Sequence, residues 1–180
     1  MKRYILAILL FTHIALVFML LGGALLDNFV NFVNWFHSVP DSLLVAKAFN
    51  SYRHPGYFFI PMLLVVIVSG AVFVAAAWNS RENMARTGVL IGTVLFVVIL
   101  LLNLGFIYPR LVTVIGEGSE TRALEALQQA SQELQVLIQV RLVIGVIGAA
   151  FAVFGLWRFY ENAPKGFNAE AEEILSGKTS

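Results

Sequence analysis

The chain has 180 residues, 59% of them hydrophobic and only 13% charged, with a mean hydropathy of +0.81 and a formal net charge of +1. This composition belongs to the membrane class and leaves room for one helical bundle. No basic face of the kind that nucleic-acid binding needs is visible, and the absence of cysteine excludes disulfides, thiolate metal sites and dithiol redox chemistry.

Met1, Lys2 and Arg3 precede the first apolar run, Tyr4 to Leu26. That run exceeds the ~7–15 residues of a signal-peptide core and ends without a clear small-residue cleavage site, so a retained first helix is expected. Three further runs follow, giving spans at about residues 4–26, 57–78, 88–108 and 138–160. Each clears the ~20 apolar residues that a spanning helix needs. The expectation is an all-α, membrane-spanning four-helix bundle, a single transmembrane domain over residues 1–161, with a short polar tail at 162–180.

Lys2, Arg3, Arg81, Arg86, Arg158, Lys165 and Lys178 fall on the side of the N-terminus, against Lys47, Arg53, Arg110 and Arg122 opposite. Positive-inside reasoning places the N and C termini in the cytoplasm and makes the tail cytoplasmic. The expected location is the cell membrane, the inner membrane of a bacterium, with the lipid bilayer as surrounding partner.

The short inner connection, Asn79 to Thr87, makes the second and third spans antiparallel neighbours. The two longer connections, residues 28–56 and 109–137, form a helical outer cap. In the first, Phe29, Phe32, Trp35 and Phe36 suit a membrane interface, and Pro40-Asp41-Ser42 reads as a helix start. In the second, Ser119 is positioned to cap a helix without Gly or Pro until Gly145. Leu124, Leu127, Ser131, Leu134, Ile138, Arg141, Gly145, Gly148, Ala152 and Gly155 make one seam along it in steps of three and four. Its outer part is expected to pack on Ser42 to Phe49 and Leu111 to Ile115. Its small residues, with Gly88 and Gly92 of the third span, permit close helix approach.

Arg141 lies on that seam and points into the bundle, where a charge needs partners; snorkelling to the outer interface is the alternative. Asn103, Asp27 and His54 are placed to meet it, with Pro61 freeing a carbonyl nearby. Asn103 as interhelical glue and Asp27 as a wet helix end remain the structural alternatives. His13 falls near mid-membrane, level with Ser69, which suits a hydrogen-bonded core histidine. His37, Asp41 and His54 lack metal-ligand spacing, so no metal and no cofactor is expected.

Asn31-Phe32-Val33-Asn34-Trp35-Phe36, His54-Pro55-Gly56-Tyr57-Phe58-Phe59-Ile60-Pro61, Trp78 with Arg81, Asn103-Leu104-Gly105-Phe106-Ile107-Tyr108-Pro109-Arg110, and Arg141 opening the last span follow in an order that resembles the anthrone-oxygenase-like family of small four-helix membrane proteins. The run Leu134 to Val140 departs from that pattern by holding no aromatic residue. The resemblance implies a four-helix bundle with a polar outer mouth and, for some members, cofactor-independent oxygenation of anthrones. In such chemistry Arg141 and Asn103 would stabilise an oxyanion while His54 removes a proton.

The leading expectation is a multi-pass membrane protein that binds a small apolar or amphipathic ligand in an outer-leaflet pocket. Asp27, His54, Asn103, Tyr108 and Arg141 are its binding candidates, and its chemistry is oxygenase-like. The alternative is a non-enzymatic scaffold or accessory subunit whose outer cap contacts a protein partner or a second copy of the chain.

Overall fold

The computed structural model describes residues 2–50, 56–116 and 123–162. Four long helical units run up and down. The first is α1 (Lys2–Leu26), which passes through a π-helical turn at Asp27–Asn31 into α2 (Phe32–Phe36). A short α3 (Asp41–Asn50) precedes the second unit, α4 (Gly56–Ala76). The third is α5 (Asn83–Leu102), which passes through a π-helical turn at Asn103–Ile107 into α6 (Tyr108–Ile115). The fourth is α7 (Leu124–Glu161).

In the span region α1 packs on α4 and α7, and α5 packs on the same two, so the four form a ring of neighbours with α5 against α7 as the broadest interface. That interface is close because it is nearly bare backbone. A Cβ on Gly88 would lie 2.9 Å from the Phe151 carbonyl oxygen, one on Gly92 2.8 Å from that of Gly148, and one on Gly155 2.9 Å from that of Ala85. The expected small-residue faces therefore meet each other within one chain.

The outward faces are apolar: Ile8, Phe18, Val68, Leu101 and Val143 are all exposed. In the most apolar stretch of each unit about a third of the residues or fewer are buried. Water would not tolerate so continuous an apolar surface, whereas a bilayer supplies its natural solvent. The protein is a multi-pass membrane protein of the all-α bundle class.

The units differ in length. α7 has 38 residues and the first and third units 34 and 33, roughly 50–57 Å at ~1.5 Å per residue. α4 has 21, about 31 Å and one bilayer core. Beyond Gly56 only three long units continue, and α3 packs on α2 and α6 to complete the cap. Phe32, Trp35, Leu43, Ala46, Leu111, Val114, Leu134 and Ile138 share one core there; of the expected partners of the α7 extension, the Leu111 to Ile115 segment packs on it directly, whereas α3 joins the same core mainly through α2 and α6.

Three expectations change. The first helix does not stop at Leu26 but continues through the π turn to Phe36, burying Phe32 and Trp35 in the cap. The third helix likewise does not stop at Tyr108. A proline lacks an N–H and its ring crowds the carbonyl four residues back; at Pro109 the preceding turn widens to π register, with the Tyr108 N–H donating to the Asn103 carbonyl, and the helix resumes. Ser119 lies outside the described residues; α7 is described from Leu124 after an extended Ala123, and Leu124, at the first position, is exposed rather than on the buried seam.

At the end of the bundle where α1 begins and α7 ends, Arg3 ties three elements. It pairs with the buried Glu82 at 3.1 Å, donates to the Phe159 and Asn162 carbonyls at 2.6 and 3.0 Å, and lies over the Phe159 ring. In the sequence Arg3 counts only towards the charge bias, and nothing marks Glu82 as its partner.

Candidate functional site

Arg141 enters the bundle from α7 seventeen residues before Arg158, about 26 Å along the axis. Asn103 lies twenty residues beyond Asn83 at the start of α5, about 30 Å from it. One hydrocarbon thickness thus separates the terminal end from the Arg141 level, so the guanidinium lies just inside the opposite, distal boundary.

Its side chain keeps 12% of its surface exposed. Arg141 Nη1 donates to Asn103 Oδ1 at 3.3 Å, Nη2 lies 4.0 Å from Asp27 Oδ2, and the guanidinium stands 5.7 Å from the Phe59 ring centroid. Asn103 is held in turn by donating Nδ2 to the Ile99 carbonyl at 2.9 Å, and Asp27 Oδ1 accepts from Asn31 Nδ2 at 2.8 Å. Asp27 is 4% exposed, so it is not a helix end in water.

Asp27 and Asn103 are each the first residue of a π-helical turn. A π turn holds about one residue more than an α turn and brings neighbouring side chains closer in direction; such turns recur at functional sites. In the first, Asp27 and Asn28 are both buried and both reach α7. Asn28 and Gln139 exchange side-chain hydrogen bonds at 3.1 and 3.5 Å, while Asp27 faces Arg141. Sequence reasoning missed this second pair. Its signal was present: Gln139 and Arg141 are the only amide or charged side chains between Gln135 and Arg158, and Asp27-Asn28 is the matching doublet at the end of the first apolar run.

Two cavities meet at the guanidinium. The wider, about 70 Å³, lies distal to it, lined by Asp27, Phe32, Trp35, Phe59, Asn103, Tyr108 and Arg141, with Gly56 at the start of α4. It occupies the place where α4 ends and the other units continue. The second, about 40 Å³, lies towards the membrane centre, lined by Leu20, Leu21, Leu63, Phe96, Ile99 and Leu142, and shares Phe59, Asn103 and Arg141 with the first. Both chambers are mainly apolar, and both meet the same guanidinium and the Asn103 amide.

Of the candidate residues, Arg141, Asn103, Asp27 and Tyr108 are thus gathered around one space, and His54 lies outside the described residues. His13 is separate: it is fully buried, with Nδ1 2.9 Å from Ser69 Oγ. Ser69 Oγ donates to the Val66 carbonyl at 2.9 Å, so it accepts from His13 and the imidazole carries its proton on Nδ1. Gly70 gives the ring room, since a Cβ there would lie 3.0 Å from His13 Cε1 and 2.1 Å from Thr93 Oγ1. Among the described residues no three of His, Asp and Glu gather as metal ligands do, and His37 turns Nδ1 to the Asn34 carbonyl at 2.8 Å. No family model matches the chain, and no curated protein or solved structure is similar to it.

Proposed function

We propose that the protein binds a small amphipathic molecule from the distal leaflet in the paired cavities around Arg141. One observation carries this reading: a guanidinium with five N–H donors, buried at the edge of the bilayer core, makes a single side-chain hydrogen bond, long at 3.3 Å, and faces open space on two sides. A buried charge is costly enough that its free donors mark a place for a partner. An apolar space with a few convergent polar groups is the usual form of a small-molecule site. With the Lys/Arg bias, the pocket opens to the outer leaflet of the cell membrane and both termini are cytoplasmic.

Mass spectrometry of the small molecules released from gently extracted protein tests the reading. Wild type retains a stoichiometric amphiphile that the Asp27→Asn/Arg141→Met variant, in which neither charge is left unpaired, does not. Equal small-molecule content in both proteins overturns the proposal.

Oxygenase-like chemistry, with Arg141 and Asn103 holding a substrate oxyanion, is a finer form of the same reading and would show as substrate-dependent oxygen uptake lost with Asn103→Leu. The scaffold reading has its own support in Leu44, Val45 and Phe49, apolar and exposed on the cap helix α3. A protein co-purifying in fixed ratio through that face would favour it.

A further inference from the structure

At the end of the bundle away from Arg141, two exposed tryptophans each carry an arginine. Arg158 stands 5.5 Å from the Trp157 ring centroid and Arg86 4.7 Å from that of Trp78. The two pairs differ in charge. Arg158 meets Glu161, and Arg3 at the same end meets Glu82. Among the described residues no carboxylate pairs with Arg86, or with Arg81, which is exposed on the turn between α4 and α5. Arg86 Nη1 donates to the Trp78 carbonyl at 2.7 Å. That bond holds the guanidinium on the ring and leaves further N–H donors for a partner.

The pair lies at the edge of the hydrocarbon. Trp78 stands just beyond the end of α4 at Ala76, and Arg86 is in the first turn of α5, which starts at Asn83. Indole rings settle at this depth, among headgroups. Towards the membrane centre the surface turns apolar. Leu90 and Val94 follow Arg86 in steps of four on one face of α5, both exposed. Ala75, Ala71 and Val68 run down α4 beneath Trp78 in steps of three and four, exposed as well. Arg86 touches Trp78 and the two helices are packed neighbours, so the two stripes run side by side from one charged corner.

A free anion would use the corner and nothing beneath it. A lipid uses both, with a phosphate on the arginines and an acyl chain along the stripes. A zwitterionic headgroup would bring its own cation to two cations already there, whereas an anionic one adds none.

We propose that Trp78, Arg81 and Arg86 form a site for an anionic phospholipid, whose phosphate lies against the two guanidinium groups and whose acyl chain follows Leu90 and Val94. With the Lys/Arg bias, this leaflet is the cytoplasmic one, where anionic lipids collect.

Trp78 is the reporter. Trp35 and Trp157 are changed to Phe, and the full-length protein is placed in phosphatidylcholine bilayers. These contain increasing shares of either phosphatidylglycerol or phosphatidylcholine carrying bromine near the ester end of one acyl chain, which quenches an indole on contact. Half-quenching is expected at a share of brominated phosphatidylglycerol at least about fivefold lower than that of brominated phosphatidylcholine. Arg81→Gln should narrow the gap, and Arg81→Gln/Arg86→Gln should close it. In a protein that keeps only Trp157, beside the paired Arg158, the gap should be smaller than at Trp78.

Equal quenching of Trp78 by the two lipids overturns the proposal. An equal preference at Trp78 and Trp157 overturns the local site in favour of the general charge of this end. Loss of the preference on adding millimolar inorganic phosphate at constant ionic strength overturns the lipid in favour of a free anion. The comparison of the two lipids keeps both arginines, so any loss of fold in the Gln variants does not affect it.

Discussion

Arg141 on α7 donates to Asn103 on α5 at the residue where the α5 helix changes register from α to π. The same guanidinium faces Asp27 at the matching change of register after α1. One side chain therefore joins the two irregular turns of an otherwise regular bundle, and all three groups lie at one depth. Regular helices would have presented fewer polar side chains inward at this level.

Removing Arg141 alone takes from the buried Asp27 carboxylate the cation that faces it from α7, so Arg141→Met should lower stability by roughly 1–3 kcal/mol. Asp27→Asn in the same chain should recover much of the loss. Thermal unfolding in detergent measures both, and a double variant no more stable than Arg141→Met would break the link between the two residues.

The Ser69 hydroxyl accepts from His13 Nδ1 at 2.9 Å, and a buried donor left without an acceptor costs about 1–3 kcal/mol. Ser69→Ala should destabilise the protein by that amount. His13→Leu combined with Ser69→Ala should cost less than the two single losses together. Strict additivity in this cycle would mean that the hydrogen bond contributes nothing.

Gly92 and Gly145 both lie on the small-residue faces but meet different surroundings. A methyl at Gly92 runs into the Gly148 carbonyl at 2.8 Å, whereas one at Gly145 reaches only the ends of the Ile99 and Leu21 side chains at 3.7 and 3.9 Å. Gly92→Ala should cost about 1–3 kcal/mol, and Gly145→Ala should be neutral or mildly stabilising. Equal melting temperatures for the two variants would refute the α5–α7 packing.

Glu82 has a side chain 8% exposed and paired with Arg3, whereas Glu161 is about half exposed and pairs with Arg158. Glu82→Ala should cost roughly 1–3 kcal/mol because it removes the nearly buried carboxylate that Arg3 meets. Glu161→Ala should change stability by less than about 1 kcal/mol. The same denaturation series decides between them.

Orientation is checked with reporters. One fused after Ser180 should be cytoplasmic and one inserted near Gly118 external; the reverse pattern would move the Arg141 pocket to the inner leaflet.

Much of this fold can be read from residues because the bilayer enforces it: spans follow from apolar length, and the α7 seam from Leu127 to Gly155 is buried as its spacing predicts, with Arg141 on it. The cluster itself was legible through Arg141, since a charge on a small-residue seam demands partners and Asn103 and Asp27 were the polar groups within reach. What the residues did not announce is register. Nothing in Asp27-Asn28-Phe29-Val30-Asn31 distinguishes a π turn from a helix end, because the choice depends on Gln139 and Arg141 waiting across the interface on α7. At Asn103 the determinant is Pro109, six residues downstream, whose effect on the preceding turn is a matter of backbone fit rather than pattern. The polar doublet with Gln139 escaped notice for a similar reason: two positions apart on a helix, Gln139 and Arg141 point to different sides, and only a partner helix passing between them uses both.

The backbone contact of α5 with α7 also has a mechanical side. Helices that meet through Gly88, Gly92 and Gly155 have no side-chain cushion between them, so the pair behaves as a single beam. α1 and α4 meet each other and that beam through bulkier side chains such as Leu10, Val17, Val66 and Phe73. Arg3 anchors α1 at the terminal end, where the short Ala77–Glu82 turn also fixes α4 to α5. Any widening of the space around Arg141 is then a lever movement of α1 and α4, pivoting at the terminal end and opening where α4 stops. The end of α4 at Gly56 and Phe59, farthest from that pivot, would then move most.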